Sequence, residues 1–380
     1  MSLVRSAVLG CVMSSAVAWG AAPSGEIIGG WDLLQIITSS GYSITPKLSA
    51  DGKSALLTYY VDPVLGTQDG IYDIASKTFT AIRESNSNGE LQRVKLLYDF
   101  NSDASTVVGQ GINNEAISWT KTNGVSPLTG LLGETITGYA SQISSDGSIV
   151  YGWNSLTSSA FRWTASEGFT DPFAGMAPSG GIRITGVSAD GSTMVGISPT
   201  TNLLYHWSES SGVELISPLA GYAPTLSSDG STYAYALKNS PYTYFESDSG
   251  TTSIRSIAPL WLNDNGSLLF AMNHPSVTSL GGSSSFFNSS GYQIWKEGSA
   301  TTTMPRYYFS TLGYDLPVQY DLGPIFDVSA DGKTYLVGGA YQGFNYAIIH
   351  VPEVNSLALF GIALPLLIVG ARLVRRGRTT

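Results

Sequence analysis

Carboxylates that recur in one local pattern are the residues of this chain with the most evident chemical potential. A short segment of the type Ser-x-Asp-Gly occurs seven times, with its acidic or amide residue at Asp51, Asp103, Asp146, Asp190, Asp229, Asn265 and Asp331. Spaced carboxylates can bind calcium. The same residues also form Asx turns, in which the side chain accepts backbone hydrogen bonds and a following Gly takes a positive φ. Because one residue type recurs in one turn pattern seven times, the sequence favours the turn over a metal site.

Other motifs that carry chemistry are incomplete. Asp99, Asn101 and Asp103 match three ligand positions of an EF-hand loop, but Ala104 and Gln110 stand where that loop needs Gly and Glu. No histidine has the spacing of a metal or catalytic pair; the three are His206, His274 and His350. A phosphate loop, a nucleophile elbow and a dinucleotide fingerprint are also missing. We therefore predict no catalytic residue, no metal and no cofactor.

Aromatic residues supply the candidates for ligand binding. Four tryptophans recur at one position of the repeat, which favours packing between repeats over a carbohydrate platform; they are Trp119, Trp163, Trp207 and Trp295. Aromatic residues outside the repeat pattern fall in loop-like stretches and are the better binding candidates. These are Trp153, Tyr341 and the cluster Tyr307-Tyr308-Phe309.

The elements that position these residues are short β-strands. Charged residues make up 12% of the 380 residues, against roughly 25% in an ordinary soluble domain, and Gly is enriched at 43 residues. An apolar strand such as Thr106–Gly109 follows each Asp-Gly turn, an aromatic strand such as Ala116–Trp119 comes about ten residues later, and another Gly-containing turn follows. The unit has about four strands and recurs about every 47 residues, the period of a propeller blade.

The length of the repeat region predicts a closed ring. Residues 23–351 divided among seven units also give about 47 residues each. The last turn, at Asp331, precedes only two strands, whereas Glu26–Leu34 and Tyr42–Leu48 offer two strands before the first turn. We therefore predict an all-β, seven-bladed β-propeller in which the N-terminal strands complete the final blade and hide the sheet edges. The long interval between Asn265 and Asp331 leaves an eighth, degenerate blade as the alternative to a loop insertion at Gly281–Ser285.

The repeat pattern resembles extracellular HAF-type repeats and, more distantly, Tol-type and WD-repeat propellers. The resemblance rests on Ser-x-Asp-Gly-Ser-x-x-Val-Gly followed by Ala-x-x-Trp, as in Ser188–Gly196 for the first part. It covers most of residues 49–350 and implies a fold and an extracellular location. It implies no chemistry.

The N-terminus reads as a secretory signal peptide over residues 1–22. Arg5 provides the basic region, Ala7–Ala18 is an uncharged and mostly apolar run, and Gly20-Ala21-Ala22 suits a signal peptidase. This run is shorter than the about 20 residues that span a bilayer. Cys11 is the only cysteine, so removal of the signal leaves a protein without disulfides.

The C-terminal segment, 352–380, predicts a transmembrane helix and a sorting signal. Val354–Ala371 is uncharged and about long enough to span a bilayer, and the arginines after it stay cytoplasmic by the positive-inside rule. The segment resembles the PEP-CTERM sorting domain of exported bacterial proteins, with Val354 where that family has a second proline. The matching residues are Pro352, Glu353, Arg372, Arg375, Arg376 and Arg378. The resemblance implies processing by an exosortase in a host that makes extracellular polysaccharide; a simple C-terminal anchor is the alternative.

The negative charge of the chain limits the kinds of partner that it can bind. The formal net charge is −9, and residues 23–351 are more acidic still because the basic residues concentrate at the two ends. This disfavours nucleic acid and anionic polymers. The sequence therefore predicts an exported, cell-surface or extracellular protein, anchored in the inner membrane before processing. Its expected role is non-catalytic binding or structure in a biofilm matrix, with matrix polysaccharide or proteins as partners. A propeller hydrolase or lyase that acts on extracellular polysaccharide is the alternative.

Overall fold

The structure is a computed structural model that describes residues 24–29, 46–62, 66–175, 180–217, 223–237, 240, 242–247, 249–255, 257–273, 292–299, 303–312, 322–339 and 344–351. Contacts group Ser24–Val351 into one unit. The predicted signal peptide and the predicted C-terminal helix lie outside the described residues. Within the ranges given above, no helix has both the length and the apolar character needed to cross a bilayer.

The described strands form seven antiparallel sheets, or blades, and one separate hairpin. The first strand is β1 (Ser24–Gly29). Blades 1 and 2, with the hairpin β6–β7 between them, then contain β2 (Lys47–Leu48), β3 (Ser54–Asp62), β4 (Gly66–Asp73), β5 (Thr78–Ala81), β6 (Arg83–Ser85), β7 (Leu91–Arg93), β8 (Leu96–Phe100), β9 (Thr106–Gln110), β10 (Ala116–Thr120) and β11 (Gly124–Pro127). Blades 3 and 4 contain β12 (Gly138–Ile143), β13 (Ile149–Asn154), β14 (Ser159–Thr164), β15 (Gly168–Thr170), β16 (Arg183–Val187), β17 (Thr193–Ile197), β18 (Leu204–Ser208) and β19 (Gly212–Ser217).

Blades 5 to 7 follow the same plan. Their strands are β20 (Thr225–Leu226), β21 (Thr232–Ala236), β22 (Tyr242–Ser247), β23 (Gly250–Arg255), β24 (Ile257–Leu262), β25 (Leu268–Asn273), β26 (Tyr292–Lys296), β27 (Leu322–Val328), β28 (Thr334–Gly339) and β29 (Phe344–His350). In blade 6 the bridge from Ile294 to Thr303 occupies the edge beside β26. A short helix, α1 (Pro305–Thr311), connects blades 6 and 7. The seven-bladed β-propeller that the turn spacing predicts is thereby confirmed.

The ring is closed by an N-terminal strand. β1 pairs with β29, so that blade 7 contains β27, β28, β29 and β1 in order from the inside outwards. The prediction that the N-terminus completes the last blade is correct for β1 only. The second predicted strand, Tyr42–Leu48, contains β2, which pairs with β3 and is the innermost strand of blade 1. One strand is enough because the last turn is followed by β28 and β29, which leave a single position open.

Each junction between consecutive blades has its own hydrophobic core cluster. Leu56 of blade 1 and Val107 of blade 2 share one cluster, and Leu336 of blade 7 and Leu57 of blade 1 share another. The remaining five clusters join blades 2 to 3, 3 to 4, 4 to 5, 5 to 6 and 6 to 7. The buried apolar surface therefore lies between the blades, which favours closure of the ring.

Backbone hydrogen bonds also connect the blades close to the axis. The residue before each turn Asp donates its N–H to the equivalent carbonyl of the next blade, at N···O distances of 2.6–3.0 Å; the links run Ala330→Ala50, Ala50→Ser102, Ser102→Ser145, Ser145→Ala189 and Ala189→Ser228. Between blades 5 and 6 the donor shifts by one residue, from Asp229 N to Asp264 O at 2.8 Å. The repeated turn therefore also contributes backbone hydrogen bonds to six of the junctions between blades.

Candidate functional site

The innermost strands of the blades surround a central cavity of about 790 Å³. Its wall includes residues of β2, β8, β12, β16, β20, β24 and β27. A cavity of this size is in the range of small-molecule sites in proteins. It is therefore the first place to look for a functional site.

Seven equivalent residues, each four positions before the turn residue, form one ring in this cavity; they are Lys47, Asp99, Gln142, Gly186, Thr225, Trp261 and Asp327. Charges alternate across the junctions of blades 7, 1 and 2. The Lys47 ammonium lies 2.7 Å from the Asp99 carboxylate, and its charge also acts on Asp327 on the other side. The ring is thus polar on one side and apolar at Trp261, whose indole N–H donates to the Ile325 carbonyl at 3.0 Å.

Two carboxylates of this ring join neighbouring blades. Asp99 Oδ2 accepts the Ile143 N–H of blade 3 at 3.1 Å, and its Oδ1 accepts the Phe100 N–H at 2.9 Å. Asp327 Oδ2 accepts the Leu48 N–H of blade 1 at 2.8 Å. A β-bulge precedes each of these acids in its strand, which turns the side chain towards the next blade. Both acids therefore satisfy backbone donors that strand pairing leaves free.

Burial raises the pKa of two acids in the cavity wall, Asp327 and Asp264. Removal from bulk water raises the pKa of Asp327 to about 7, although the Leu48 N–H and the Lys47 charge favour the ionised form. Asp264 occupies the position before the turn residue, where the other repeats have Ala or Ser. Burial raises its pKa too, and the Asp229 charge adds to this, while Ser228 opposes it by hydrogen bonding.

A second group of cavity residues consists of Tyr139 and Arg183, at the starts of β12 and β16, and Tyr98 in the middle of β8. Tyr98 and Tyr139 stack with ring centroids 5.0 Å apart. Arg183, the first residue of β16, is exposed, and its guanidinium carbon lies 5.5 Å from the centre of the Trp153 ring. Burial raises the pKa of Tyr98 to about 12 and also raises that of Tyr139, and the Arg183 charge counteracts both shifts. The Arg183 guanidinium, the Trp153 indole and the phenol groups of Tyr98 and Tyr139 are therefore neighbours.

Two neighbouring carboxyl groups, those of Glu84 and Glu115, lie outside the cavity wall. Glu84 of β6 accepts the Ile112 N–H at 2.9 Å, and burial followed by the nearby Glu115 raises its pKa. On the same hairpin, Arg93 binds the buried Asp69 of β4, with 2.6 Å between Nη2 and Oδ2. Glu84 and Arg93 therefore hold the β6–β7 hairpin between blades 1 and 2.

The turn interpretation of the recurring acids agrees with the geometry. In the Asp146 turn the Oδ1 atom accepts the Ser144 hydroxyl at 2.7 Å and the Ser148 N–H at 2.9 Å, and these bonds lower the pKa of Asp146. The residue after each turn Asp or Asn has φ between 57° and 78°, including the non-glycine Ala104. The same backbone hydrogen bond to the turn side chain recurs in all seven repeats, at Asp51, Asp103, Asp146, Asp190, Asp229, Asn265 and Asp331.

The predicted binding candidates fall in different environments. Trp153 lies in strand β13 and is 8% exposed, so its expected place in a loop is wrong, because its strand continues beyond Tyr151 and pairs with β12 and β14. Tyr307 and Tyr308 lie in α1, which begins at Pro305, a residue well suited to the first helical turn. Tyr307 is exposed, whereas Tyr308 packs on Tyr335 of blade 7. Tyr341 and the sorting residues Pro352, Glu353, Arg372, Arg375, Arg376 and Arg378 lie outside the described residues.

The recurring tryptophans pack between blades, as predicted. Trp119 belongs to the cluster of blades 1 and 2, and the ring centroids of Trp295 and Phe245 of blade 5 lie 4.4 Å apart. Trp163 and Trp207 pack against the clusters of blades 2 and 3 and of blades 3 and 4. His206 stacks on Tyr233 of the next blade, and burial lowers its pKa. Of the described residues, no three acids, histidines or cysteines group as a metal site would.

Comparisons with known proteins extend to the fold and no further. No protein-family model and no curated protein matches the chain. A solved structure titled "Oligogalacturonate lyase in complex with manganese" is 14% identical, with a TM-score of 0.52 over 82% of this chain and 89% of that chain. A virginiamycin B lyase from Staphylococcus aureus is 11% identical, with a TM-score of 0.50 over 87% and 99%. A chain of the mitotic checkpoint complex is 11% identical, with a TM-score of 0.50 over 93% and 98%.

Sequence reasoning missed the cavity residues Tyr98, Tyr139 and Arg183. A usable signal was present, because Tyr139 and Arg183 both stand seven positions before their turn residue and Tyr98 stands five positions before its own. Once the innermost strand is assigned to the segment before each turn, these positions face the axis. The aromatic candidates were instead chosen from segments outside the repeat.

Proposed function

We propose that this protein is exported, held at the cell surface or in the extracellular matrix, and binds a matrix component through its central cavity without chemically changing it. The sequence supports export through the signal peptide at 1–22 and the apolar, arginine-terminated segment at 352–380. The low content of charged residues and the repeat in residues 23–351 fit a propeller at the cell surface. The partner is a polysaccharide or a protein of the matrix.

One observation carries the binding interpretation: the two acids that join the blades and the group of Arg183, Tyr98 and Tyr139 have separate tasks. Asp99 and Asp327 accept backbone N–H groups of the next blade, so they hold the ring together. Arg183, Tyr98 and Tyr139 also line the cavity, and none of the hydrogen bonds between blades described above uses their side chains. A few polar groups beside aromatic rings in a preformed cavity are typical of a ligand site.

The sorting part of the proposal concerns the C-terminal segment. Pro352, Glu353 and the terminal arginines support processing by an exosortase, after which the propeller is released from its inner-membrane anchor. Without that enzyme the apolar segment serves as an anchor only. In both cases the propeller lies outside the inner membrane.

The proposal is tested with the full-length protein in mild detergent and the exopolysaccharide of the host. Size-exclusion chromatography with light scattering measures the molar mass of the polymer with and without protein. A rise in mass with protein co-eluting is the expected result. An unchanged mass, together with no matrix protein retained by the immobilised chain, would refute the binding role.

A propeller hydrolase or lyase is the second candidate, and one observation favours it. The Asp327 carboxyl lies at the cavity with a pKa raised to about 7, which suits a group that takes up and releases protons near neutral pH. If this candidate is correct, the polymer mass falls with time, and the Asp327→Asn variant stops the fall. A fall that persists in the Asp327→Asn variant would remove Asp327 from the mechanism.

A further inference from the structure

We propose that Arg183, with Tyr98 and Tyr139, binds the carboxylate of an acidic sugar residue in the matrix polymer. This inference rests on the proposed function and names the chemistry of its ligand. It concerns the part of the cavity where β12 and β16 begin, together with Tyr98 of β8, which stacks on Tyr139.

The indole ring of Trp153 supports the guanidinium of Arg183. Its carbon lies 5.5 Å from the centre of the Trp153 ring, a cation–π distance. The backbone of Gly181 packs closely against the Trp153 indole, since a Cβ atom at this position would lie only 2.9 Å from Trp153 Cη2. This contact restricts the Trp153 side chain. The φ of +70° at Gly181 is a second reason why this position needs glycine. The chain therefore closes tightly over the indole and presents the guanidinium on a rigid base.

The donors of Arg183 remain available to a ligand. Arg183 is exposed, and among the described residues it has no carboxylate within ion-pair distance. An arginine offers five N–H donors in a plane and binds carboxylates in a bidentate manner. The phenol groups of Tyr98 and Tyr139 are protonated at neutral pH, and burial raises their pKa further. They are thus additional neutral donors for the same anion.

The charge of the cavity indicates a single negative group. The described wall has two cations, Lys47 and Arg183, and Lys47 is already paired with Asp99 at 2.7 Å. Arg183 is therefore left to balance one carboxylate, and the cavity does not favour a ligand with several negative charges. The net charge of −9 disfavours a densely anionic polymer for the same reason. We therefore assign to this site an acidic sugar that occurs among neutral sugars. The stacked rings of Tyr98 and Tyr139 and the volume of about 790 Å³ provide apolar surface and space for several sugar units.

Isothermal titration calorimetry with the full-length protein tests the assignment. The probes are methyl glucuronide, methyl glucoside, which has a hydroxymethyl group in place of the carboxylate, and acetate, which lacks the sugar. Binding of the glucuronide in preference to both others is expected, with a loss of at least about tenfold in Arg183→Gln. Tyr98→Phe and Tyr139→Phe each weaken binding by a smaller factor. The control Lys121→Gln removes an exposed positive charge from a turn outside the cavity wall and leaves binding unchanged.

The outcomes separate this inference from the proposed function. Equal affinity of wild type and Arg183→Gln for the glucuronide, equal affinity for glucuronide and glucoside, or acetate binding as tight as the glucuronide would each overturn the assignment. Unfolding midpoints of the variants, measured alongside, identify any loss that is due to misfolding, and Tyr98→Phe then provides the decisive variant. If the matrix polymer binds Arg183→Gln as it binds wild type, the carboxylate site is wrong while the binding role stands.

Discussion

Replacing Asp99 with alanine should loosen the junction of blades 1, 2 and 3. The Asp99 carboxylate accepts the Lys47 ammonium of blade 1 at 2.7 Å, the Phe100 N–H of its own strand at 2.9 Å and the Ile143 N–H of blade 3 at 3.1 Å. Its side chain is only 10% exposed. Alanine has no acceptor, and the neighbouring groups are too enclosed for water to replace all three bonds.

The size of the effect follows from these contacts. A buried donor left without a partner costs about 1–3 kcal/mol, and the substitution leaves two such backbone donors, Phe100 and Ile143. The Lys47 side chain is 28% exposed and can turn to water, so its share is about 1 kcal/mol or less. We therefore expect the free energy of unfolding to fall by about 4 kcal/mol. Asp99→Asn keeps one acceptor oxygen and should lose about half as much.

Urea unfolding followed by tryptophan fluorescence measures this loss. The matched control is Asp73→Ala, because the Asp73 carboxylate also accepts a backbone N–H, from Ser76 at 2.7 Å, but in an exposed turn. Water can replace that bond, so the control should lose about 1 kcal/mol or less. An Asp99→Ala protein as stable as Asp73→Ala would refute the view that this carboxylate joins the blades.

Three further predictions concern other parts of the chain. Gly266→Ala should destabilise the protein clearly more than Gly332→Ala in thermal unfolding. The two glycines have nearly the same φ, +71° and +70°, but a Cβ at Gly266 would lie 2.6 Å from Thr232 Cβ, whereas one at Gly332 meets nothing within 4 Å. Equal losses of stability would contradict the contact between blades. Stability should fall as pH rises from about 4 to about 7, because the folded state holds the proton of Asp327 more tightly than the unfolded state. Asp327→Asn should reduce this slope in urea titrations at several pH values, and Asp264 and Glu84, whose pKa burial also raises, should contribute the remainder. Exported protein should lack Arg378 by mass spectrometry, and deletion of the host exosortase should restore it; a secreted form with an intact C-terminus would contradict sorting.

The repeat could be predicted because its turn is encoded locally. Asp190 and Gly191 specify the turn by side-chain hydrogen bonding and positive φ, and their spacing then gives the number of blades. The pattern survives at Asp103, where Ala104 takes the glycine position at φ 57°, because the carboxylate still accepts the Ser105 N–H. Ring closure was predictable in outline from the number of strands, but the split between β1 and β2 depends on pairing across more than 300 residues.

The cavity was less accessible to sequence reasoning. Whether a residue such as Asp99 faces water or the next blade depends on the β-bulge before it, and the repeat pattern contains no sign of that bulge. Trp153 was recognised as a candidate, but its role beneath Arg183 depends on two strands of different blades. The helical position of Tyr308 was missed because α1 is a short helix among strands, and its packing on Tyr335 of blade 7 is a long-range contact.

Hydrogen–deuterium exchange of the full-length protein with and without the host matrix polymer tests the central claim most directly. The account predicts slower exchange in peptides that contain Tyr139 and Arg183, at the starts of β12 and β16. Peptides of the opposite turns, such as the one at Asp229, should exchange as before. Protection confined to outer strands such as β15 and β19, or no protection at any peptide, would contradict binding at the central cavity.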